Sequence, residues 1–309
     1  MKPIVLFGAL TIAMAGVFLY SACSPDSQNQ SPTKPPPPTD IFLCFGQSNM
    51  EGYIPKIKGI PVAIPAEDKQ GVSDRFQVLA AVDMPALGRK KGEWYTAVPP
   101  LCRGDTGLTP ADYFGRAMVE GISDPNVRVG VIVVAVAGCA INLFDKDTKV
   151  SSSYLNAQEN WMKDIAALYD DNPYQRLVEM AEIAQESGTI RGILLHQGES
   201  GKAGPSGENG SDNANWATAV KKVYDSLLID LGLLPNSVPL LAGQVVGNNS
   251  TIINSLPGKM PSVAYVISSQ GLSAAGTEDY DPQHFSYEGY RELGQRYAEK
   301  MLELLGDGE

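Results

Sequence analysis

The chain of 309 residues has few histidines and fewer basic than acidic residues, and both features limit the functions it can have. It contains two histidines, His196 and His284, so chemistry that needs an imidazole base must use one of them. Lys and Arg number 24 against 35 Asp and Glu, which gives a formal net charge of −11. Because phosphate backbones are bound by basic patches, this balance argues against nucleic acid as a partner.

Cysteine is also scarce, and the pattern of the four cysteines does not indicate a metal site. The sequence has neither a CxxC nor an HExxH pattern. Three cysteines follow Cys23, so at most one disulfide can form among them. Cys44 lies inside a predicted strand and is expected in the core. Cys102 and Cys139 are a possible pair.

One apolar run approaches the length of a membrane span, from Ile4 to Leu19. It follows Lys2 and ends at small residues, which predicts a signal peptide over residues 1–22, although a membrane span is the alternative. Cys23 then resembles the cysteine of the bacterial lipoprotein box, with Tyr20 as a departure from it. Residues 23–39 are rich in proline and predict a tether. We therefore expect an exported lipoprotein that meets the membrane only through a lipid on Cys23.

Residues 40–309 read as one α/β domain, in which buried strands alternate with helices. This alternation predicts a three-layer α/β/α sandwich around a mainly parallel sheet of five strands. The expected strands are 41–45, 127–137, 190–195, 238–246 and 262–268. The expected helices are 110–121 (capped by Thr109), 154–187 (interrupted at Asn172-Pro173), 216–233 and 287–305.

Residues 53–107 carry many Gly and Pro and no sustained period, which predicts a functional insertion or lid without regular structure. Trp94 and Tyr95 lie within it and either line a ligand site or pack the insertion onto the domain. The loop 202–212 is rich in Gly and Ser. We expect these two segments to decide which ligand the domain accepts.

Ser48 is the strongest candidate for a reactive residue, because it follows directly on the turn Gly46-Gln47 at the carboxyl end of the first strand. A serine becomes a strong nucleophile only when a base takes its proton. Asp281 lies three residues before His284, a spacing that lets the carboxylate orient the imidazole, unless Asp281 merely caps the last helix. His196 with Glu199 is the competing base, and the order of residues along the chain cannot choose between them.

Three blocks together resemble the SGNH hydrolases, with the flavodoxin-like layering of that superfamily, and within it carbohydrate esterase family 6 and the sialate O-acetylesterase domain. The blocks are GQSNMEG at 46–52, HQGE at 196–199 and DPQHF at 281–285. The resemblance runs from about residue 40 to 305. It implies a serine esterase that needs no cofactor and removes acetyl groups from an acetylated oligo- or polysaccharide, of the acetylxylan or sialic acid type.

Residue roles follow from the same resemblance. Ser48 is implied as the nucleophile, with His284 as its base and Asp281 as the acid. The oxyanion hole is implied to consist of the N–H groups of Ser48 and Gly138 and the side-chain amide of Gln197. Supporting positions are expected at Gln47, Asn49, Glu51, His196 and Glu199.

One departure from the family pattern concerns the glycine block, where Cys139 follows Gly138 in place of a serine or threonine. The alternatives to a carbohydrate esterase are an SGNH esterase or lipase acting on other acyl esters, and a glycan-binding surface lipoprotein with a vestigial site.

Overall fold

The computed structural model describes residues 1, 36, 38–199, 215–246, 251–275 and 281–307. The chain divides into two units, residues 1–34 and 35–309, and the elements below belong to the second. The predicted signal peptide, Cys23 and the loop 202–212 lie outside the described residues. In the part of the chain that is described, no helix is long and apolar enough to cross a membrane.

The described strands and helices alternate along the chain. The strands are β1 (Asp40–Gly46), β2 (Lys56–Ile57), β3 (Ile60–Pro61), β4 (Phe76–Leu79), β5 (Trp94–Thr96), β6 (Val129–Ala135), β7 (Thr189–His196), β8 (Leu240–Gly243), β9 (Ala264–Ile267), β10 (Ala274–Ala275) and β11 (Asp281–Phe285). The helices are α1 (Ser48–Glu51), α2 (Pro110–Gly121), α3 (Thr148–Asn156), α4 (Asn160–Ala167), α5 (Pro173–Gln185), α6 (Trp216–Asp230), α7 (Thr251–Asn254), α8 (Leu256–Lys259) and α9 (Tyr287–Leu305). Short 3₁₀ turns lie at Ala66–Lys69, Pro85–Leu87 and Ile141–Phe144.

The central sheet has seven strands in the order β5-β4-β6-β1-β7-β8-β9, and every pair except β4–β5 is parallel. This confirms the expected mainly parallel sheet, but the expected count of five strands was wrong. The two extra strands, β4 and β5, come from the segment 53–107, for which no regular structure was predicted. They have four and three residues, too few for a periodic pattern to emerge among the glycines and prolines around them.

Strand β1 lies at the centre of the sheet and is buried on both faces. Ile41, Leu43 and Phe45 point into the core beneath α3–α6, whereas Phe42 and Cys44 point into the core beneath α2 and α9. Side chains of a strand alternate between the two faces of a sheet, so a continuous apolar run needs cover on both. The result is the predicted three-layer α/β/α sandwich.

The helix predictions differ in accuracy. Helix α2 has the expected Thr109 cap, completed by Asp112 into a capping box, and α9 spans the predicted residues. The long helix expected over 154–187 is instead three helices, α3, α4 and α5, the last of which begins at Pro173 after an Asn172 cap. Asp281 does not cap α9, because the side chain of Ser286 accepts from the Gly289 N–H at 3.1 Å.

The core decides two questions that the sequence left open. Trp94 is 9 % exposed and packs in the core above Gly130, so it belongs to the packing alternative rather than to a ligand site. Cys102 and Cys139 are buried free thiols and do not form a disulfide. Burial raises the pKa of Cys102 to about 11, so its thiol stays protonated at neutral pH. Part of the predicted tether contacts the folded unit, since the side chain of Gln77 donates to the carbonyl of Pro36 at 2.7 Å.

Candidate active site

The reactive serine lies where β1 turns into α1. A Cβ atom at Gly46 would lie 2.0 Å from the carbonyl oxygen of His196, so only glycine lets β1 and β7 approach this closely at their ends. Gln47 then forms the turn, and Ser48 opens α1 at 8 % exposure. Ser48 thus lies at the carboxyl edge of the sheet, on its central strand.

The structure brings Ser48, His284 and Asp281 together although the first two are 236 residues apart. The Nε2 atom of His284 lies 2.9 Å from Ser48 Oγ, and its Nδ1 lies 2.7 Å from Asp281 Oδ2. The other carboxylate oxygen of Asp281 accepts from the backbone N–H of Gln283 at 2.9 Å. This serine–imidazole–carboxylate chain has the connectivity that activates a serine hydroxyl.

Asp281 is held in its ionised form. Burial acts to raise the pKa of this carboxyl, but the hydrogen bond from His284, the backbone N–H of Gln283 and the hydroxyl of Tyr53 outweigh it, and the pKa falls below its ordinary value. A carboxylate at this position stabilises positive charge on the imidazole that faces it.

His196, the competing histidine, takes no part in that chain. It is fully buried, with Nδ1 3.4 Å from the hydroxyl of Tyr297 and Nε2 3.4 Å from Glu199 Oε1. Its ring packs edge-on against Phe285 at 5.5 Å between centroids. Of the two histidines, His284 is therefore the one in contact with Ser48.

Asn49 links the nucleophile turn to three other parts of the chain. Its amide donates to Glu199 Oε1 at 2.7 Å and to the carbonyl of Gln283 at 2.8 Å. Its carbonyl oxygen accepts from the Phe285 N–H at 3.2 Å and from the hydroxyl of Tyr290 at 2.8 Å. Two of these partners flank His284 in sequence, so Asn49 fixes the imidazole relative to the serine.

Glu199 lies beside Asn49 with about a tenth of its side chain exposed to the cleft, and it remains an anion. Burial acts to raise its pKa, but the close contact with the His196 imidazole and the hydrogen bond from Asn49 lower it below the ordinary value. Glu199 therefore acts as the acceptor that orients both neighbours.

Glu51 holds the second turn of the site, the one that carries Gly138. Its Oε2 accepts from the N–H of Ala137 at 2.7 Å, and its Oε1 pairs with the buried Arg103 guanidinium at 2.7 Å. Arg103 also donates to the carbonyl of Ala135 at 3.2 Å. The nucleophile turn and the glycine turn are thus joined through one buried ion pair, and Gly138 has a φ of +69° that suits glycine.

Gln197 does not have the orientation expected of an oxyanion donor. Both hydrogens of its amide are engaged, by Gln47 Oε1 at 3.2 Å and by the carbonyl of Cys139 at 3.1 Å. Its oxygen accepts from the indole N–H of Trp216. Gln197 is 1 % exposed and acts as a brace between the two turns.

A cleft of about 480 Å³ opens beside the serine. Trp161 on α4 lies in its wall with half of its surface exposed, and a Cβ atom at Gly138 would lie 2.6 Å from the edge of this indole. Tyr53 lies on the other side and stacks on His284. The sequence did not single out either aromatic residue, since nothing in the local pattern shows where the end of α1 or the start of α4 lies relative to the serine.

Most residues around the cleft are not metal ligands in type. Within the described ranges, no group of three or more His, Cys, Asp or Glu side chains is arranged to hold a metal ion. The cleft is lined by Gln47, Ser48, Glu51, Tyr53, Ala137, Gly138, Trp161, Glu199, Val245, Val246, Pro282, Gln283 and His284.

The parallel sheet, the serine at the end of its central strand and the histidine on the ribbon β10–β11 form the arrangement expected of an SGNH-type hydrolase. A family model described as carbohydrate esterase, sialic acid-specific acetylesterase, matches residues 38–303, and the chain belongs to this family. The protein is accordingly a carbohydrate O-acetylesterase.

Solved structures share the fold. A protein of Arabidopsis thaliana is 20 % identical, with a TM-score of 0.62 over 86 % of this chain and 99 % of its own. NanS is 16 % identical, with a TM-score of 0.56 over 88 % of this chain and 99 % of its own. A carbohydrate acetylesterase from Xanthomonas citri is 15 % identical, with a TM-score of 0.54 over 87 % of this chain and 57 % of its own.

Proposed function

We propose that the protein removes O-acetyl groups from acetylated glycans with Ser48 as nucleophile, His284 as base and Asp281 as the acid that orients it. The observation that carries this proposal is the unbroken contact chain from Ser48 Oγ through His284 to Asp281. His196 points elsewhere, so it does not compete for the serine proton.

The reaction passes through an acyl-enzyme. Ser48 Oγ attacks the acetyl carbonyl while His284 Nε2 takes its proton, and Asp281 stabilises the imidazolium that forms. His284 then returns the proton to the departing sugar hydroxyl as the C–O bond breaks. Water, deprotonated by His284, attacks the acetyl-serine, and acetate leaves with the serine regenerated.

The developing oxyanion is met by the backbone N–H groups of Ser48 and Gly138. Glu51 aligns the Gly138 turn by accepting from Ala137, and Gln197 braces it through Cys139. Loss of one oxyanion donor lowers the rate by about 10²–10³ in enzymes of this chemistry. Gln197 contributes to this step by positioning the turn rather than by donating to the oxyanion.

Two carboxylates in the cleft support a polar substrate with a short acyl group. Glu51 and Glu199 are among its lining residues, which disfavours a long apolar chain. The exposed face of Trp161 offers a surface on which a sugar ring can lie beside the reacting carbonyl. This arrangement supports an acetylated glycan over a fatty acyl ester.

Acetate release tests the proposal. The soluble domain from residue 35 onward is assayed side by side on acetylated xylan and O-acetylated sialic acid. We expect release from at least one substrate, its loss in Ser48→Ala, and a larger loss in His284→Ala than in His196→Ala. No Ser48-dependent release from either substrate by a folded domain would refute the proposal, and a larger effect at His196 would refute the assignment of the base.

We propose in addition that the protein is exported and anchored by a lipid on Cys23. The support is in the sequence alone: the apolar run of residues 4–19, the small residues before Cys23, and the proline-rich residues after it. Radiolabelled palmitate should label the full chain and not Cys23→Ser. No label on the unmodified chain would remove the anchor from the proposal.

A further inference from the structure

Tyr53 covers one face of the histidine that the proposed reaction uses. The two ring centroids are 3.8 Å apart and the ring planes differ by 8°. The Tyr53 hydroxyl also hydrogen-bonds the carboxylate of Asp281, the residue that binds the other edge of the same imidazole. One side chain therefore contacts both the base and its acid.

The backbone places Tyr53 in this position. Gly52 ends α1 with a φ of +98°, and a Cβ atom there would lie 2.7 Å from the carbonyl oxygen of Gly107. The N–H of Gly107 donates to the carbonyl of Gly52 at 2.6 Å, and the N–H of Tyr53 donates to the hydroxyl of Tyr290 at 3.3 Å. The chain is thus turned back immediately after the nucleophile helix and fixed there, which brings the phenol ring over His284.

This stacking geometry suits a charged imidazole better than a neutral one. Two neutral aromatic rings prefer an offset or an edge-to-face arrangement to a full face-to-face contact. A cation over the face of a tyrosine is attracted by the negative charge of the ring face. His284 becomes a cation when it accepts the Ser48 proton, so the ring contact is strongest when the oxyanion forms.

We propose that Tyr53 is a positioning residue, whose ring holds the His284 imidazole in line with Ser48 and stabilises its imidazolium, while its hydroxyl fixes Asp281. The proposal rests on the proposed function only for its kinetic consequences, since the ring contact exists without substrate. Tyr53 lines both the main cleft and an adjoining depression of about 500 Å³, so it also forms the wall between them.

Other charged groups around His284 stay the same when Tyr53 is changed. Asp281 lies on its own strand, and Glu51 and Glu199 line the same cleft from α1 and from the end of β7. Lys56 on β2 lines the adjoining depression. The substitutions Tyr53→Leu and Tyr53→Phe both remove the hydroxyl that binds Asp281, so a change in the titration of His284 that occurs in Tyr53→Leu and not in Tyr53→Phe reports the loss of the ring contact.

Two substitutions separate the ring from the hydroxyl. Tyr53→Leu removes both, and Tyr53→Phe keeps the ring. In Tyr53→Leu the acid limb of the plot of kcat/KM against pH should move to lower pH by about half a unit, and kcat should be about threefold to tenfold lower. Both changes are of the size expected for the loss of one cation–π contact that is exposed to partly buried. In Tyr53→Phe the limb should stay near that of the unmodified enzyme, with a smaller loss of kcat.

A direct NMR titration of His284 tests the ring contact without turnover of substrate. The chain has two histidines, so its ¹H NMR spectrum has two imidazole Cε1–H signals, and His284→Asn identifies the one that belongs to the active site. The His196 signal reports that each variant is folded, because that ring is fully buried. We expect the His284 titration curve to shift to lower pH in Tyr53→Leu and not in Tyr53→Phe.

The outcomes are distinguishable. A folded Tyr53→Leu with an unshifted His284 titration overturns the proposal, whatever its activity. A loss of kcat at every pH without movement of the acid limb overturns the stabilisation of the imidazolium by the ring, because that is the result of misplacement alone. A shifted titration in a protein without Ser48-dependent acetate release supports the ring contact and refutes the proposed function.

Discussion

The substitution Asn49→Ala should both destabilise the fold and disable the site, because Asn49 is the fully buried hub of four hydrogen bonds. Two of the partners it would leave, the Phe285 N–H and the Tyr290 hydroxyl, belong to residues with no exposed surface, so water does not replace the lost acceptor. Each buried polar group left without a partner costs about 1–3 kcal/mol. Glu199 and the Gln283 carbonyl each lose one donor in addition.

The expected destabilisation is therefore about 3–5 kcal/mol, a large part of the 5–15 kcal/mol that is typical of a folded domain. It corresponds to a fall of about 6–15 °C in Tm for a domain of this size. The rate should fall by about 10²-fold, since Asn49 fixes both residues beside His284 and a misplacement of about 1 Å has effects of that order.

Urea and thermal unfolding measure the first effect, and hydrolysis of p-nitrophenyl acetate measures the second. Asn126→Ala, at an exposed asparagine, serves as the control and should change neither. Asn49→Asp keeps the acceptor for Phe285 and Tyr290 but sets a second carboxylate against Glu199. Its stability should recover as the pH falls, because a protonated Asp can donate to Glu199. A loss below about 1 kcal/mol in Asn49→Ala with an unchanged rate would refute the reasoning.

Three further predictions concern the cleft and two buried carboxyls. Trp161→Ala should raise KM for an acetylated oligosaccharide about fivefold and leave KM for p-nitrophenyl acetate nearly unchanged. The control Leu168→Ala, at an exposed apolar residue at the end of the same helix, should change neither KM. Equal effects of Trp161→Ala on both esters would count against a role of Trp161 in binding the sugar. The pKa of Glu199 is lowered in the folded state, so the Glu199 carboxylate stabilises the fold above the ordinary glutamate pKa, and this stabilisation is lost as the pH falls through the folded-state pKa. Glu199→Gln should therefore weaken the fall in the free energy of unfolding at acid pH. An unchanged fall would contradict this. Burial raises the pKa of Asp112 to about 8, so the free energy of unfolding should decline as the pH rises from about 4 to 8. Urea titrations at several pH values should show that Asp112→Asn removes this decline. The same decline in the variant would show that Asp112 is ionised in the fold.

The strands that carry the site were predictable because burial on both faces leaves a continuous apolar run. The run 127–137 predicted β6, and 41–45 predicted β1. Strands β4 and β5, at one side of the sheet, were missed for a physical reason: each is short and forms by pairing with a neighbour that the local sequence does not specify. The expected insertion 53–107 is thus partly an extension of the sheet.

Ser48 and His284 could be proposed as reactive residues because histidine is scarce and because each lies in a block typical of the family. The choice between His284 and His196 depended on geometry, since each has an acid three residues away. The oxyanion role of Gln197 stays a prediction, and it depends on contacts of the same kind. A sequence position places an amide near the turn but does not show that Cys139 and Gln47 already occupy its two hydrogens.

The short segment from Ser48 to Tyr53 makes several contacts in the site, which explains why one block of sequence indicates so much about the family and the site. His284 lies on the two-stranded ribbon β10–β11, outside the central sheet, so its position relative to Ser48 depends on contacts from elsewhere. Those contacts come from Asn49 and Tyr53, while Glu51 in the same segment aligns the glycine turn. The segment that contains the proposed nucleophile therefore also contacts the proposed base and the turn of the proposed oxyanion donor. A change at any of these three supporting residues should act on the geometry of the reaction even though none of them exchanges a proton with the substrate.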